Sequence, residues 1–168
     1  MFVSRGWVLG PSTRMGKSTA AGASSTERPK TVIGWIEYVH LPAVSAGSFE
    51  AKIDTGAETC ALHATNITVS GQYVSFKTNG KQLRLKLKEI RSVKSSNGSE
   101  ALRPVIEIEL WFNQRREKVE FTLTNRDGMK YPVLLGRNYL KEGYLVDVAH
   151  RYILGKPTKQ RPRGQVRR

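Results

Sequence analysis

Lys52-Ile53-Asp54-Thr55-Gly56-Ala57-Glu58-Thr59-Cys60-Ala61-Leu62-His63-Ala64 is the stretch on which the reading of this chain turns. An apolar–polar alternation arriving from Phe49 ends abruptly in Asp54-Thr55-Gly56. A carboxylate at the tip of a strand, followed by a glycine that lets the backbone turn back, is how a β-structure presents an acid at its opening. The tripeptide alone is also an ordinary Asp-x-Gly turn, so its meaning depends on its surroundings.

Those surroundings read as strands. Residues 32–41 are rich in β-branched and aromatic side chains and run into Pro42, and residues 49–53 deliver the chain to Asp54. Further strands are expected at 67–69 and 73–77, the latter followed by Asn79-Gly80, the dipeptide that favours a two-residue type I′ hairpin. Leu83-Arg84-Leu85-Lys86-Leu87-Lys88 alternates strictly, giving one apolar and one basic face, and a solvated outer face is the preferred reading of those bases. Residues 104–111 and 119–123 alternate again around a turn at Asn113-Gln114, and Val133-Leu134-Leu135, closed by Gly136, suits a buried strand. Residues 138–142 suit one helical turn, with last strands at 145–148 and 152–154. Many short strands with almost no helix indicate an all-β barrel or sandwich.

The formal charge of +14 invites a nucleic-acid reading, but its distribution argues otherwise. Residues 1–31 carry five bases against one acid, and residues 155–168 carry six bases and no acid, so residues 32–154 hold 17 bases against 13 acids. Composition therefore divides the chain into a flexible leader (1–31), one mildly basic domain (32–154) and a basic disordered tail (155–168). Nucleic acid is not the expected partner. No stretch approaches the roughly 18 apolar residues of a membrane-spanning helix, so no membrane role is expected. The one cysteine, Cys60, excludes an intrachain disulfide and fits a reducing, cytoplasmic setting. Within the leader, residues 10–18 resemble a phosphate-binding loop, but five residues separate Gly10 from Gly16 where that loop needs four, and no strand precedes them.

Three features stand in order: a strand into Asp54-Thr55-Gly56-Ala57, a polar glycine-containing loop at 95–99, and Leu134-Leu135-Gly136-Arg137 about eighty residues after the aspartate. That order resembles the retropepsin-like aspartic peptidases, closed barrels in which an apolar-apolar-Gly strand passes behind the catalytic Asp-Thr-Gly loop. The runs at 52–64, 95–100 with 103–106, and 123–138 are similar, more narrowly, to the bacterial retropepsin-like family labelled ATP-dependent zinc proteases, which frequently accompanies ATP-grasp glutamate ligases. The resemblance covers residues 32–154. Cys60 departs from it, standing where that family usually has serine.

The resemblance implies a homodimeric aspartic endopeptidase acting on peptide or protein substrates. Hydrolysis by carboxylates needs two side by side, one ionised to take a proton from water and one protonated to polarise the scissile carbonyl. Carboxylates about 3 Å apart share one proton. One Asp-Thr-Gly per chain supplies half of that pair, so the second Asp54 would come from a twofold-related copy. Thr55 would bond across the twofold axis, Gly56 would bring a backbone N–H to the carboxylate, and Ala57, Leu135 and Gly136 would support the loop. Ser96, Asn97 and Gly98 are the flap candidates. Arg126 and Arg137 are candidates for binding acidic or glutamate-rich substrates, with pairing to acids such as Glu58 as the plainer alternative. No cofactor is expected. No metal site is expected either, because Cys60 and His63 lack zincin spacing, and His63 is expected to hydrogen-bond beside the loop. Three alternatives stay open at this point: a non-proteolytic binding module on the same fold, an RNA- or ribosome-associated protein working through its basic ends and the 84–94 face, and a zinc-dependent hydrolase.

Overall fold

A computed structural model of the chain describes residues 29–94, 98–141 and 143–156. Most of the leader, most of the basic tail, and the flap candidates Ser96 and Asn97 lie outside the described residues.

The fold is all-β with one helical turn. Its strands are β1 (Thr31–Gly34), β2 (Ile36–His40), β3 (Ser48–Ile53), β4 (Cys60–His63), β5 (Thr65–Ser70), β6 (Tyr73–Thr78), β7 (Lys81–Lys86), β8 (Glu89–Lys94), β9 (Glu100–Phe112), β10 (Arg115–Thr124), β11 (Val133–Leu135) and β12 (Tyr144–Asp147), with α1 (Arg137–Leu140) between the last two. The main sheet runs β10-β4-β11-β3-β2-β9-β8. Because β9 also pairs with β10, the pairings return on themselves, and β2 joins β9 through His40↔Trp111. Strands β5, β6 and β7 form a separate antiparallel sheet, while β1 and β12, the first and last strands, pair in parallel.

The hairpin turns follow from their residues. Asn79 and Gly80 both take positive φ, 47° and 73°, as the tight β6–β7 turn requires. The same geometry recurs at Asn113 and Gln114, with φ of 48° and 60° between β9 and β10. Alternating side chains then fill the interior: Ile106, Ile108 and Leu110 of β9 with Phe121 and Leu123 of β10 join Leu62, Val133 and Leu135 in one buried cluster. Leu83, Leu85 and Leu87 pack against it, leaving Arg84 and Lys86 exposed. No helix among the described residues is long and apolar enough to cross a membrane.

Three local expectations are corrected. The single strand expected over 32–41 is two, broken at Trp35, because β1 pairs with β12 whereas β2 pairs with β3. β4 and β8 are strands that the local pattern does not announce. Residues 152–154 are not a strand. Tyr152 has φ 57° and its N–H donates to the Ile36 carbonyl at 2.8 Å, while the N–H groups of Ile153 and Leu154 donate to the Glu37 carboxylate at 2.9 and 3.3 Å. Glu37, fully buried, also accepts the Gly34 N–H at 2.7 Å. One carboxylate thus takes donors that a strand ladder would have used, and it clamps the end of the domain onto the β1–β2 corner.

Candidate active site

β3 carries Asp54 to its position, and β11 fixes it there. The two strands are parallel with Leu135 opposite Ile53, and the Asp54 N–H donates to the Leu135 carbonyl at 2.9 Å. On its other side the Ile53 N–H donates to the Trp35 carbonyl at 2.9 Å. The chain then folds back so that the N–H groups of Gly56 and Ala57 each donate to Asp54 Oδ1 at 3.1 Å. The carboxylate is half-buried, while Thr55 and Gly56 are exposed. One carboxylate oxygen is thereby oriented by two backbone dipoles. The loop tip lies open to whatever it meets.

The underside of the loop is held as closely. Four consecutive carbonyls receive donors from two consecutive residues of α1: Arg137 Nη1 reaches Thr55 at 3.1 Å and Gly56 at 2.8 Å, the Arg137 N–H reaches Ala57 at 2.9 Å, and the Asn138 N–H reaches Glu58 at 2.9 Å. Gly136 lets α1 come this near. A Cβ there would stand 2.6 Å from both the carbonyl carbon and the oxygen of Thr59, and 3.0 Å from the Ala57 oxygen. Leu135 is fully buried and Ala57 half-buried. The loop's N–H groups thus serve the acid, and its carbonyls serve α1.

Cys60 completes the brace. Its N–H and its thiol both donate to Asn138 Oδ1, at 2.9 and 3.1 Å, and its sulfur accepts the Gly136 N–H at 3.3 Å. Asn138 Nδ2 donates in turn to the Glu120 carbonyl at 3.2 Å. Burial pushes the Cys60 thiol up to about 12, against the opposing pull of the Gly136 and Asn138 hydrogen bonds. A serine hydroxyl could donate and accept in the same places, so the cysteine changes packing here and leaves the acid as it is.

Both arginines singled out in the sequence have backbone partners rather than the Glu58 carboxylate. Arg137 Nη1 is taken up by the loop carbonyls and braces them, while the residue, also the sequence's candidate substrate contact, stays exposed. Arg126 donates its Nε–H to the Tyr131 carbonyl at 3.2 Å, and its backbone N–H donates to His63 Nδ1 at 3.1 Å. His63 is therefore engaged beside the loop, and its Nε2 lies 3.7 Å from the exposed Asp127. Burial lowers the Arg126 pKa, with the Asp54 charge opposing and the Arg103 charge reinforcing, so these three groups share one electrostatic neighbourhood. Among the described residues no three His, Cys, Asp or Glu side chains gather so as to hold a metal ion.

Gly98, with φ 84°, lies where β8 turns into β9, and those two strands form an antiparallel hairpin from Glu89↔Val105 to Lys94↔Glu100. From the sequence Asn138, the third member of Gly136-Arg137-Asn138, reads only as a helix residue, because its bond to the Cys60 N–H spans 78 residues.

Residues 32–157 match the RimB-like family, described as retropepsin-like aspartic endopeptidase RimB. The chain is 36% identical over 139 residues to a protein of Shewanella pealeana named probable alpha-L-glutamate ligase, covering 76% of this chain and 30% of that protein. A protein of the same name from Desulfotalea psychrophila is 30% identical over 150 residues, covering 81% of this chain and 32% of the relative. The chain thus spans about a third of the length of these curated relatives. Among solved structures it is similar to Lpg0085, a Legionella pneumophila protein with unknown function, at a TM-score of 0.59 and 28% identity, covering 73% of this chain and 96% of that one.

Proposed function

The chain belongs to the RimB-like family of retropepsin-like aspartic endopeptidases, and from that premise we propose that it hydrolyses peptide bonds with two Asp54 carboxylates, one from each of two copies. The observation that carries this reading is Asp54 itself, half-buried at a strand end with one oxygen held by the Gly56 and Ala57 N–H groups and the loop braced beneath. Those donors leave the other oxygen to face a partner acid or a water. One carboxylate of the pair takes the proton of the attacking water; the other, protonated, donates to the scissile carbonyl.

Two features favour the pairing of copies. Thr55 stands exposed at the loop tip, free to bond a facing loop. The β1–β12 ribbon, whose Gly34 end adjoins Trp35 and so the strand leading to Asp54, carries Val32 and Leu145 side by side on its outer face at 47% and 52% exposure. A second copy of this chain is the occupant that would cover those side chains and complete the acid pair. The β8–β9 hairpin is the flap of this scheme, closing over bound peptide and excluding water.

The substrate in this reading is an acidic, glutamate-rich peptide or protein. Arg126 shares its surroundings with Asp54, and relatives containing a similar stretch bear the name of a glutamate ligase, an enzyme class whose products a peptidase of this specificity would cut. The test is cleavage of a glutamate-rich peptide from pH 4 to 7 by the native chain and by Asp54→Asn. Loss of cleavage with the oligomer intact supports the reading, and undiminished cleavage overturns it. Leu145→Arg should convert a dimer to monomers in sedimentation and abolish activity with it.

A further inference from the structure

The net positive charge of the domain is gathered on one small sheet. Residues 65–88 hold five of its 17 bases and none of its 13 acids, so the rest of residues 32–154 carries 12 bases against 13 acids and is close to neutral. No acid occurs from Thr59 to Lys88, thirty residues in a row. The near-even count over the whole domain hides this separation.

Strand register places three of those bases on one face. Tyr73 stands opposite Lys86, Ser75 opposite Arg84 and Lys77 opposite Gln82, while on the other flank of β6 Ser70 pairs with Tyr73 and Thr68 with Ser75. Because side chains alternate along a strand, these residues share the outer face of the β5–β6–β7 sheet, and Val74, Phe76, Leu83 and Leu85 take the inner face against the core. Lys77, Arg84 and Lys86 are exposed, as are Thr68 and Ser70. None of these three bases is ion-paired among the described residues, whereas Arg91 on β8 holds both Glu89 and Glu120. Beside them lies Tyr73, 45% exposed, with the Arg84 guanidinium 4.4 Å from its ring centroid.

Such a face differs from an ordinary solvated one, which mixes both signs of charge. Lysines on an edge strand such as β7 also discourage strand addition, but that role calls for no exposed aromatic ring. Unpaired cations beside an aromatic plane suit a polyanion that carries flat rings: its phosphates meet Lys77, Arg84 and Lys86, and its bases stack on the Tyr73 ring or on the guanidinium plane. The hydroxyls of Thr68, Ser70 and Ser75 add donors and acceptors of the kind that bond a ribose 2′-OH. We propose that the outer face of the β5–β6–β7 sheet binds single-stranded RNA, an activity separate from hydrolysis at Asp54.

Fluorescence anisotropy of a labelled oligouridine dodecamer, titrated with the full chain at several salt concentrations, tests this. Tyr73→Thr keeps every charge and the strand preference, and should weaken binding about tenfold through lost stacking. Lys77→Gln/Arg84→Gln/Lys86→Gln should reduce the steepness of log K against log salt by about 2, at roughly 0.7 for each phosphate contact removed. The deoxyuridine strand of equal length should bind several-fold more weakly. Unaltered thermal unfolding of the variants secures the comparison. Unchanged affinity in Tyr73→Thr, or an unchanged salt slope in the triple variant, would assign any RNA binding to the basic ends and overturn the proposal. Equal affinity for the deoxyuridine strand would overturn the choice of RNA. A chain that binds no oligouridine but takes a glutamate-rich peptide through Lys77, Arg84 and Lys86 would overturn it as well, in favour of an acidic protein partner.

Discussion

Arg137 holds Gly56 by its carbonyl oxygen at 2.8 Å, reaching back across 81 residues with a side chain that also takes the Thr55 carbonyl. The same Gly56 points its N–H at Asp54 Oδ1. The peptide groups 55–56 and 56–57 each have the Arg137 guanidinium at the carbonyl and Asp54 Oδ1 at the N–H, so both are polarised in the same sense, which ties the position of the acid to that of the arginine. Arg137→Ala should lower kcat/KM for peptide cleavage by roughly 100-fold, the scale of a 1 Å misplacement of a catalytic group. KM should change little, and circular dichroism should show the fold intact. Arg137→Lys, able to reach one carbonyl, should recover part of the loss. A change confined to KM would return Arg137 to the role of a substrate contact.

Gly136→Ala is expected to be more damaging to the fold than its single methyl suggests. The new Cβ would lie 2.6 Å from the backbone of Thr59, which is itself tied into the loop, so no flexible side chain can give way. The stability loss in urea unfolding should be about 3 kcal/mol, at the upper end of overpacking costs. Gly56→Ala meets only Asp54 Oδ1 at 3.3 Å, and should unfold within about 1 kcal/mol of the native chain while reducing activity.

Cys60 should behave as an inert thiol. With its pKa pushed up to about 12, almost none of it is thiolate at pH 8, and the sulfur is buried. A disulfide reagent at pH 8 should therefore label it only as fast as the chain opens, with the rate rising steeply in urea. Prompt labelling of the folded protein would contradict the brace described for Asn138. Cys60→Ser should preserve the fold and the activity.

These relationships separate what was legible in the amino-acid order from what was not. Asp54-Thr55-Gly56, the Asn79-Gly80 turn and the apolar run before Gly136 announce themselves because each depends on a residue type at a local spacing. The brace is different. Arg137 looks like a free surface cation until the loop, eighty residues earlier in sequence, is folded over it, and Asn138 is an unremarkable helix residue until Cys60 arrives. β4 is not announced locally because Cys60-Ala61-Leu62 has no alternation: side chains on both faces are buried, and in the sheet the strand lies between β10 and β11. The expected strand at 152–154 failed because its donors are satisfied by the side chain of Glu37, a long-range acceptor that no local pattern reports.

Glu37→Gln tests that clamp. The amide keeps one acceptor oxygen but turns an NH₂ toward backbone donors, and the loss should be about 3 kcal/mol, the scale of a hydrogen bond to a charged group. Trypsin should then cut at Arg151 well before the rest of the domain yields. Equal resistance in native and variant proteins would show that the Tyr152–Glu50 hydrogen bond and the Tyr38–Tyr152 stack suffice alone.

A surface cluster contributes to the acid limb of stability. Glu120 receives Lys88 and Arg91, each at 2.7 Å, and those two bases hold its carboxyl below its ordinary value. A lowered folded-state pKa contributes stability that is fully present above the unfolded value of about 4.5 and is lost as the pH falls through the depressed one. Glu120→Gln should therefore flatten the decline in melting temperature below about pH 4.5, with only a small effect at pH 7 because the group is partly solvated. The comparison requires melts of both proteins from pH 3 to 7.

The parallel pairing of β1 with β12 matters for the order in which the molecule can be made. Thr31 meets Tyr144, a partner that leaves the ribosome more than a hundred residues later, and the brace under Asp54 waits likewise for Gly136, Arg137 and Asn138. A nascent chain that has already exposed its acid loop has neither the strand to cover Ile33 nor the arginine to shape the loop. Contacts so distant in sequence close slowly and close together. The acid is thus synthesised early but acquires its working geometry only in the last steps of folding, and a chain truncated before residue 136 would carry the aspartate without the means to use it.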